Sequence, residues 1–385
     1  MDDKITILSL SQNNPKYNFI KTSNIPTNCL STLKFISSFI IAFVTHYGHF
    51  PVKNGVVPFA NLFKWSYSKG WILVELFFML SGFGMFLGYG DKIIKRELTF
   101  KQYIMKRILK LYPLFFLTTI LITILEIWHK HLTGKTFIYG YFDCWHFFMN
   151  LILCQDGIFG TEFSFNAPSW CISICFILYI IHFAVMYFSK EKINAIYSYI
   201  ILTFIGLSII SMGWNYPFIL NQMVGRGLSC FSIGVILANI YLISDKLNTT
   251  LIGYLSLIIL TLYYLIHNTR YNIIIGNFKF VFIMIFSPLI IFSCLYVSWI
   301  NKFLSIKPMI FLGSLSMNIF LLHFIVQCII INIDLNFQIR LNYSLKKIWL
   351  LYCFSTIIVS FIYNKYVDKL IKFLLLQLVK IILKN

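Results

Sequence analysis

Apolar residues in this chain come in long runs separated by short polar connectors, and the runs are too long for ordinary soluble helices. A helix that crosses a bilayer needs about 20 predominantly apolar residues. Runs of that kind cover residues 31–50, 71–89, 106–127, 168–188, 196–213, 224–243, 250–267, 278–299, 307–333 and 346–370. The pattern predicts an all-α, polytopic membrane helix bundle with about ten transmembrane helices. A cytoplasmic N-terminal segment is expected over 1–30, the transmembrane domain over 31–370 and a cytoplasmic tail over 371–385. The chain shows neither an internal repeat nor a low-complexity linker, and no soluble domain is expected after the bundle.

The longest connector runs from His129 to Ala167. It holds a second apolar patch, Phe137 to Phe159, broken by Asp143, His146, Asn150 and Asp156. Two readings fit it: a re-entrant or interfacial segment facing substrate, and a packed amphipathic loop.

Composition agrees with a membrane protein. The chain is 59% hydrophobic and only 12% charged, against about 25% charged in soluble domains. The formal charge of +19 comes from 32 basic and 13 acidic residues. The basic residues cluster in connectors, as membrane topology requires, so nucleic acid is not expected as a partner. The densest basic connector is DKIIKRELTFKQYIMKRILK, residues 91–110. By the excess of Lys and Arg in inward loops it is placed in the cytoplasm. An even number of spans then puts both termini there, in a protein of the plasma membrane. The nine cysteines are scattered without zinc spacing, so no metal site is expected. The polar first 28 residues and the length of the first apolar helix argue against a cleaved signal peptide.

Ionisable groups inside apolar runs are costly, about 2.5–3.5 kcal/mol each on insertion scales. His46 and His49 end the first run, Glu75 lies in the second, Arg226 opens the sixth and His323 lies in the ninth. The predicted orientation brings all of them to the outer half. An imidazole oriented by a carboxylate is a general base for activating a hydroxyl. His46, Glu75 and His323 are therefore the catalytic candidates, with Glu75 expected to orient His46. Arg226, His49 and Trp170 are the substrate-binding candidates. On the cytoplasmic side, Arg107 and Lys110 are three apart and share a helix face, with Lys34 at the start of the first run. These three would suit a phosphorylated donor; the alternative is simple inward-loop charge.

Four stretches in order resemble the membrane acyltransferase-3 family. LKFISSFIIAFVTH is similar to its opening helix, with a basic residue near the start and a His near the end. GWILVELFFMLSGF is similar to its second-span motif, KRILKLYP to its third-span entry, and FLGSLSMNIFLLHF to its late motif ending on His323. The resemblance implies an integral-membrane O-acyltransferase, most often an O-acetyltransferase. Such enzymes move an acyl group from cytoplasmic acyl-CoA to a hydroxyl of a cell-surface or lipid-linked glycan. It implies acetyl-CoA as donor, held near Lys34, Arg107 and Lys110, with His46 as base or acyl acceptor. A transporter or flippase for a lipid-linked sugar is the alternative, since buried His, Glu and Arg also suit ion coupling.

Three positions depart from the family pattern. Cys175 stands where the family has a Glu, and Lys110 where it has an Arg. Lys34 and His46 are separated by eleven residues rather than ten. At 100° per residue that extra position turns His46 away from the Lys34 face, unless a π-bulge absorbs it, and it keeps His49 as an alternative base.

Overall fold

The computed structural model describes residues 26–155, 163–214, 216, 221–244, 247–268, 278–371 and 377. Most of the predicted N-terminal segment and cytoplasmic tail therefore lies outside the described residues. In chain order the helices are α1 (Cys29–Phe39), α2 (Ala60–Lys69), α3 (Val74–Ile94), α4 (Phe100–Thr133), α5 (Cys144–Leu151), α6 (Trp170–Phe188), α7 (Lys192–Ser211) and α8 (Gln222–Leu242). They continue with α9 (Thr249–Asn268), α10 (Phe278–Val281), α11 (Ser287–Tyr296), α12 (Ser298–Leu304), α13 (Lys307–Ser314), α14 (Ser316–Asn336) and α15 (Lys346–Ile362). Among the described residues nine helices are long and apolar enough to cross a membrane, and the predicted seventh span is a shorter apolar helix, Thr249–Tyr263. The molecule is a polytopic helical bundle.

Several predicted spans are not single α-helices. The ninth breaks at Leu315, between α13 and α14. A side chain at Gly313 would lie 2.6 Å from the Ser31 backbone, so α13 ends where it rests directly on α1. The eighth passes from α10 through a π segment, Phe282–Phe286, into α11.

The first span changes helix type twice. After α1 comes a π segment, Ile40–Thr45, and then a 3-10 turn, His46–His49. A π turn takes more residues than an α turn, and this is the slip that the eleven-residue separation of Lys34 and His46 requires. Carbonyls in the π segment are also engaged from outside: Tyr352 Oη donates to Ala42 O at 3.1 Å and Trp349 Nε1 to Phe43 O at 2.6 Å. Thus α15 side chains hold the widened turn open from one side. On the other, Thr45 Oγ1 donates to Ser66 O at 2.9 Å.

Helices α3 and α8 pack backbone to backbone. A Cβ at Gly82 would stand 2.0 Å from Phe231 O, and one at Gly234 would stand 1.9 Å from Met79 O. Small residues allow such close approach inside a bilayer. This contact fixes Glu75, near the head of α3, against Arg226, near the head of α8.

Helix α4 starts at a reciprocal cap. Gln102 N donates to Thr99 Oγ1 at 3.3 Å and Thr99 N to Gln102 Oε1 at 3.2 Å, satisfying two otherwise orphaned donors. It runs for 34 residues to Gly134, whose φ of 74° turns the chain back. The following segment then descends along α4. Phe137 N donates to Glu126 Oε2 at 2.9 Å, and Tyr112 Oη donates to Leu151 O at 2.9 Å. Tyr112 lies 21 residues before Thr133, about 31 Å at 1.5 Å per residue. The described part of the long connector therefore turns back along α4, while Asp156 to Phe159 of the predicted apolar patch lie outside the described residues.

Candidate active site

Three histidines meet at the end of the first span. His46 Nδ1 lies 2.7 Å from His323 Nε2, and His323 Nδ1 lies 2.7 Å from Phe320 O. The His46 ring stacks on His323 at 5.0 Å and on His49 at 5.2 Å. His323 is fully buried, while His46 and His49 are half-buried.

The hydrogen bonds assign the tautomers. A carbonyl oxygen only accepts, so His323 Nδ1 carries a proton and donates to Phe320 O. Neutral His323 then has a lone pair on Nε2, and His46 Nδ1 must donate to it. That leaves His46 Nε2 as the unprotonated nitrogen, which is the one a base needs. When Nε2 takes a proton, the charge on His46 is supported through the same bond. The arrangement has the logic of a base held by an orienting partner, with an imidazole in the orienting place.

Glu75 does not fill that place. The expectation that it orients His46 is corrected by an ion pair: Arg226 Nε donates to Glu75 Oε1 at 2.6 Å, with Glu75 fully buried and the Arg226 side chain 7% exposed. Two opposite charges in one low-dielectric region pair with each other, because an unpaired buried charge costs far more. The Arg226 guanidinium lies 5.3 Å from the Trp71 ring and 5.0 Å from the Trp170 ring. Trp170, a substrate-binding candidate, is buried against Arg226 and Phe78. Gly70, beside Trp71, packs on Thr45, where a Cβ would stand 2.2 Å from Thr45 Oγ1. The ion pair and the histidines are thus neighbours across one tight contact.

The three basic candidates fall into a second neighbourhood. Lys34 is within electrostatic reach of Lys110 and of the Cys175 thiol. Cys175 bonds Tyr179, and the Tyr179 and Ser81 hydroxyls lie 3.1 Å apart. The Arg107 guanidinium lies 4.6 Å from the Tyr89 ring, donates to the Tyr89 hydroxyl and approaches Tyr179 at 6.0 Å. Cys175, at the family's Glu position, therefore sits beside Lys34 and leaves that charge without a carboxylate from α6. Between the two neighbourhoods runs one face of α3. Phe77, Ser81, Gly84 and Gly88 recur at helical spacing on it. At Gly84 and Gly88 nothing lies within 4 Å of where a Cβ would stand, and Phe77 meets Phe320 at 5.5 Å.

Sequence reading missed Gln327. It is fully buried, and its Nε2 donates to His46 O at 3.2 Å. Its position four residues after His323, on the same helix face, was the signal available. It also missed Tyr139, whose ring meets the edge of His49 at 6.2 Å. Among the described residues no group of three or more His, Cys, Asp or Glu is placed to hold a metal ion.

A bundle of membrane-length helices with paired imidazoles beside a buried ion pair is a polytopic membrane protein with a polar site among its helices. The model of an acyltransferase domain matches residues 28–365, and the chain belongs to that acyltransferase-3 family. No curated protein and no solved structure matches it.

Proposed function

We propose that this protein is a membrane O-acetyltransferase of the plasma membrane, with the lysine-rich end of the bundle and both termini in the cytoplasm. Acetyl-CoA is the donor. Its phosphates lie against Lys34, Arg107 and Lys110, and its thioester extends along the open face of α3 toward the histidines. The acceptor is a hydroxyl of a cell-surface or lipid-linked glycan.

His46 Nε2 removes the acceptor proton. The oxygen attacks the thioester carbonyl and forms the ester bond, the carbon–sulfur bond breaks, and the proton passes from His46 to the departing CoA sulfur. His323 fixes the tautomer before the step and carries part of the charge during it. The Arg226–Glu75 pair holds the head of α3 and α8 beside the site. The observation that carries this reading is the relay from Phe320 O through His323 to His46, because it leaves His46 Nε2 free to accept a proton beside the heads of α3 and α8.

The test uses purified protein in nanodiscs with acetyl-CoA labelled in the acetyl group, together with mass spectrometry of the surface glycan from cells. The expected result is release of free CoA and appearance of label in ester linkage. Movement of a glycolipid across vesicles with no thioester cleavage would replace this reading with the carrier alternative.

A further inference from the structure

The segment that turns back along α4 carries a second polar group that the transfer step does not use. His146 Nδ1 lies 2.7 Å from Asp143 Oδ2, and His146 N donates to Asp143 Oδ1 at 3.0 Å. The Tyr141 ring lies 4.8 Å from the His146 ring. Asn150 Nδ2 donates to His146 O at 2.8 Å and to Ser164 Oγ at 3.0 Å. Ser164 bridges to Tyr141, and two residues on, Asn166 Nδ2 donates to Leu321 O at 3.2 Å. Leu321 is two residues from His323. The Asp143–His146 pair is therefore tied to the depth of the paired imidazoles, far below the end of α4.

An exposed carboxylate at that depth needs water. The Asp143 side chain is 50% exposed, and ionised groups are not left in hydrocarbon without partners. The helix itself sorts its faces. Asp143, His146 and Asn150 recur at spacings of three and four. Trp145, Phe148 and Ile152 recur at the same spacings two positions later, about 200° around the axis. Those three apolar side chains are 58%, 59% and 59% exposed. One face thus suits lipid, and the opposite face is polar, with Asn150 buried against Ser164 and Asp143 exposed at its start.

We infer that the polar face of this segment walls a water-filled vestibule reaching the paired histidines, and that Tyr141, Asp143 and His146 form a subsite there for an uncharged, hydroxyl-rich sugar ring. This rests on the proposed transfer to a sugar hydroxyl. Each carboxylate oxygen of Asp143 retains a lone pair for a hydroxyl donor. Tyr141 is 44% exposed, backed by His146 on one side and open on the other, so it offers a flat surface to the ring's C–H face. Among the described residues the basic group bonded to Asp143 is His146, so an anionic acceptor would meet repulsion rather than a counter-charge.

Two measurements test it. Native Cys144 lies about 100° around the helix from Asp143, toward the apolar face, so the probe is a cysteine at exposed Tyr141 in a Cys144→Ser background, where a thiol reacts through its thiolate, which forms in water. A charged methanethiosulfonate reagent should label Tyr141→Cys in nanodiscs, with that adduct absent from the Cys144→Ser parent. Labelling by an apolar maleimide but not by the charged reagent would place the face in lipid and overturn the vestibule. Asp143→Asn, which keeps the helix cap, and Tyr141→Ala should each lower acetylation of the native surface glycan at least tenfold. Release of CoA from acetyl-CoA with water as acceptor should stay within about twofold of wild type. Wild-type glycan acetylation in both variants, higher transfer in Asp143→Asn, or equal loss of thioester cleavage would each overturn the subsite while leaving the transferase standing. No CoA release by the wild-type protein would instead end the proposed function, and the subsite with it.

Discussion

If His323 fixes the tautomer of His46, its replacement should weaken the chemical step in an order set by hydrogen-bonding capacity. His323→Leu keeps the volume and removes the acceptor for His46 Nδ1, now 2.7 Å away. The lost bond is one that becomes charge-assisted when His46 is protonated, worth about 1.5–3 kcal/mol. At 1.36 kcal/mol per tenfold, that is roughly a 10- to 150-fold fall in kcat. His323→Gln presents an amide oxygen that accepts from Nδ1 and should recover part of the loss. His46→Ala removes the base itself, about 100- to 10,000-fold. The assay is CoA release by purified protein in nanodiscs at saturating acetyl-CoA, with folding checked by thermal denaturation. A His323→Leu protein with wild-type kcat, or a Gln variant no better than Leu, would refute the relay.

Other substitutions probe the frame around it. Gly82→Ala places a methyl group 2.0 Å from Phe231 O, so α3 and α8 must separate; overpacking of this kind costs about 1–3 kcal/mol and should lower the melting temperature, whereas Gly84→Ala, with open space, should not. Arg226→Met leaves Glu75 buried without its partner and should cost about 3–5 kcal/mol, while the double change with Glu75→Gln should recover stability, both read by thermal denaturation. Arg107→Gln should raise KM for acetyl-CoA about tenfold through loss of a charge-assisted contact with little change in kcat at saturation; an unchanged KM would move the donor site elsewhere.

Much of the architecture was legible because a bilayer demands long apolar runs, and the structure's helices follow them. What periodicity could not give was where a run breaks. Leu315 and the serines beside it, Ser314 and Ser316, fit within one continuous run as well as at a break, and the break depends on Gly313 meeting Ser31 across the bundle. The π segment was half-legible: the extra residue between Lys34 and His46 called for it, but the Tyr352 and Trp349 bonds that engage it come from about 310 residues later. The paired imidazoles could be anticipated as two costly groups at one end of the bundle. Their partners could not. Glu75 was assigned to His46 because a carboxylate is the usual orienter, but a buried guanidinium 151 positions away claims it, and the geometry that decides this exists only in the packed α3–α8 contact.

The central claim is that His46 Nε2, held free by His323, takes the proton that lets a hydroxyl cleave an acyl-CoA thioester inside the bundle. The most direct measurement compares wild type and His46→Ala, each purified at equal folded amount in nanodiscs, for release of CoA from labelled acetyl-CoA and for label in glycan ester. The wild-type protein should give both and His46→Ala neither; equal turnover by the two proteins would contradict the account.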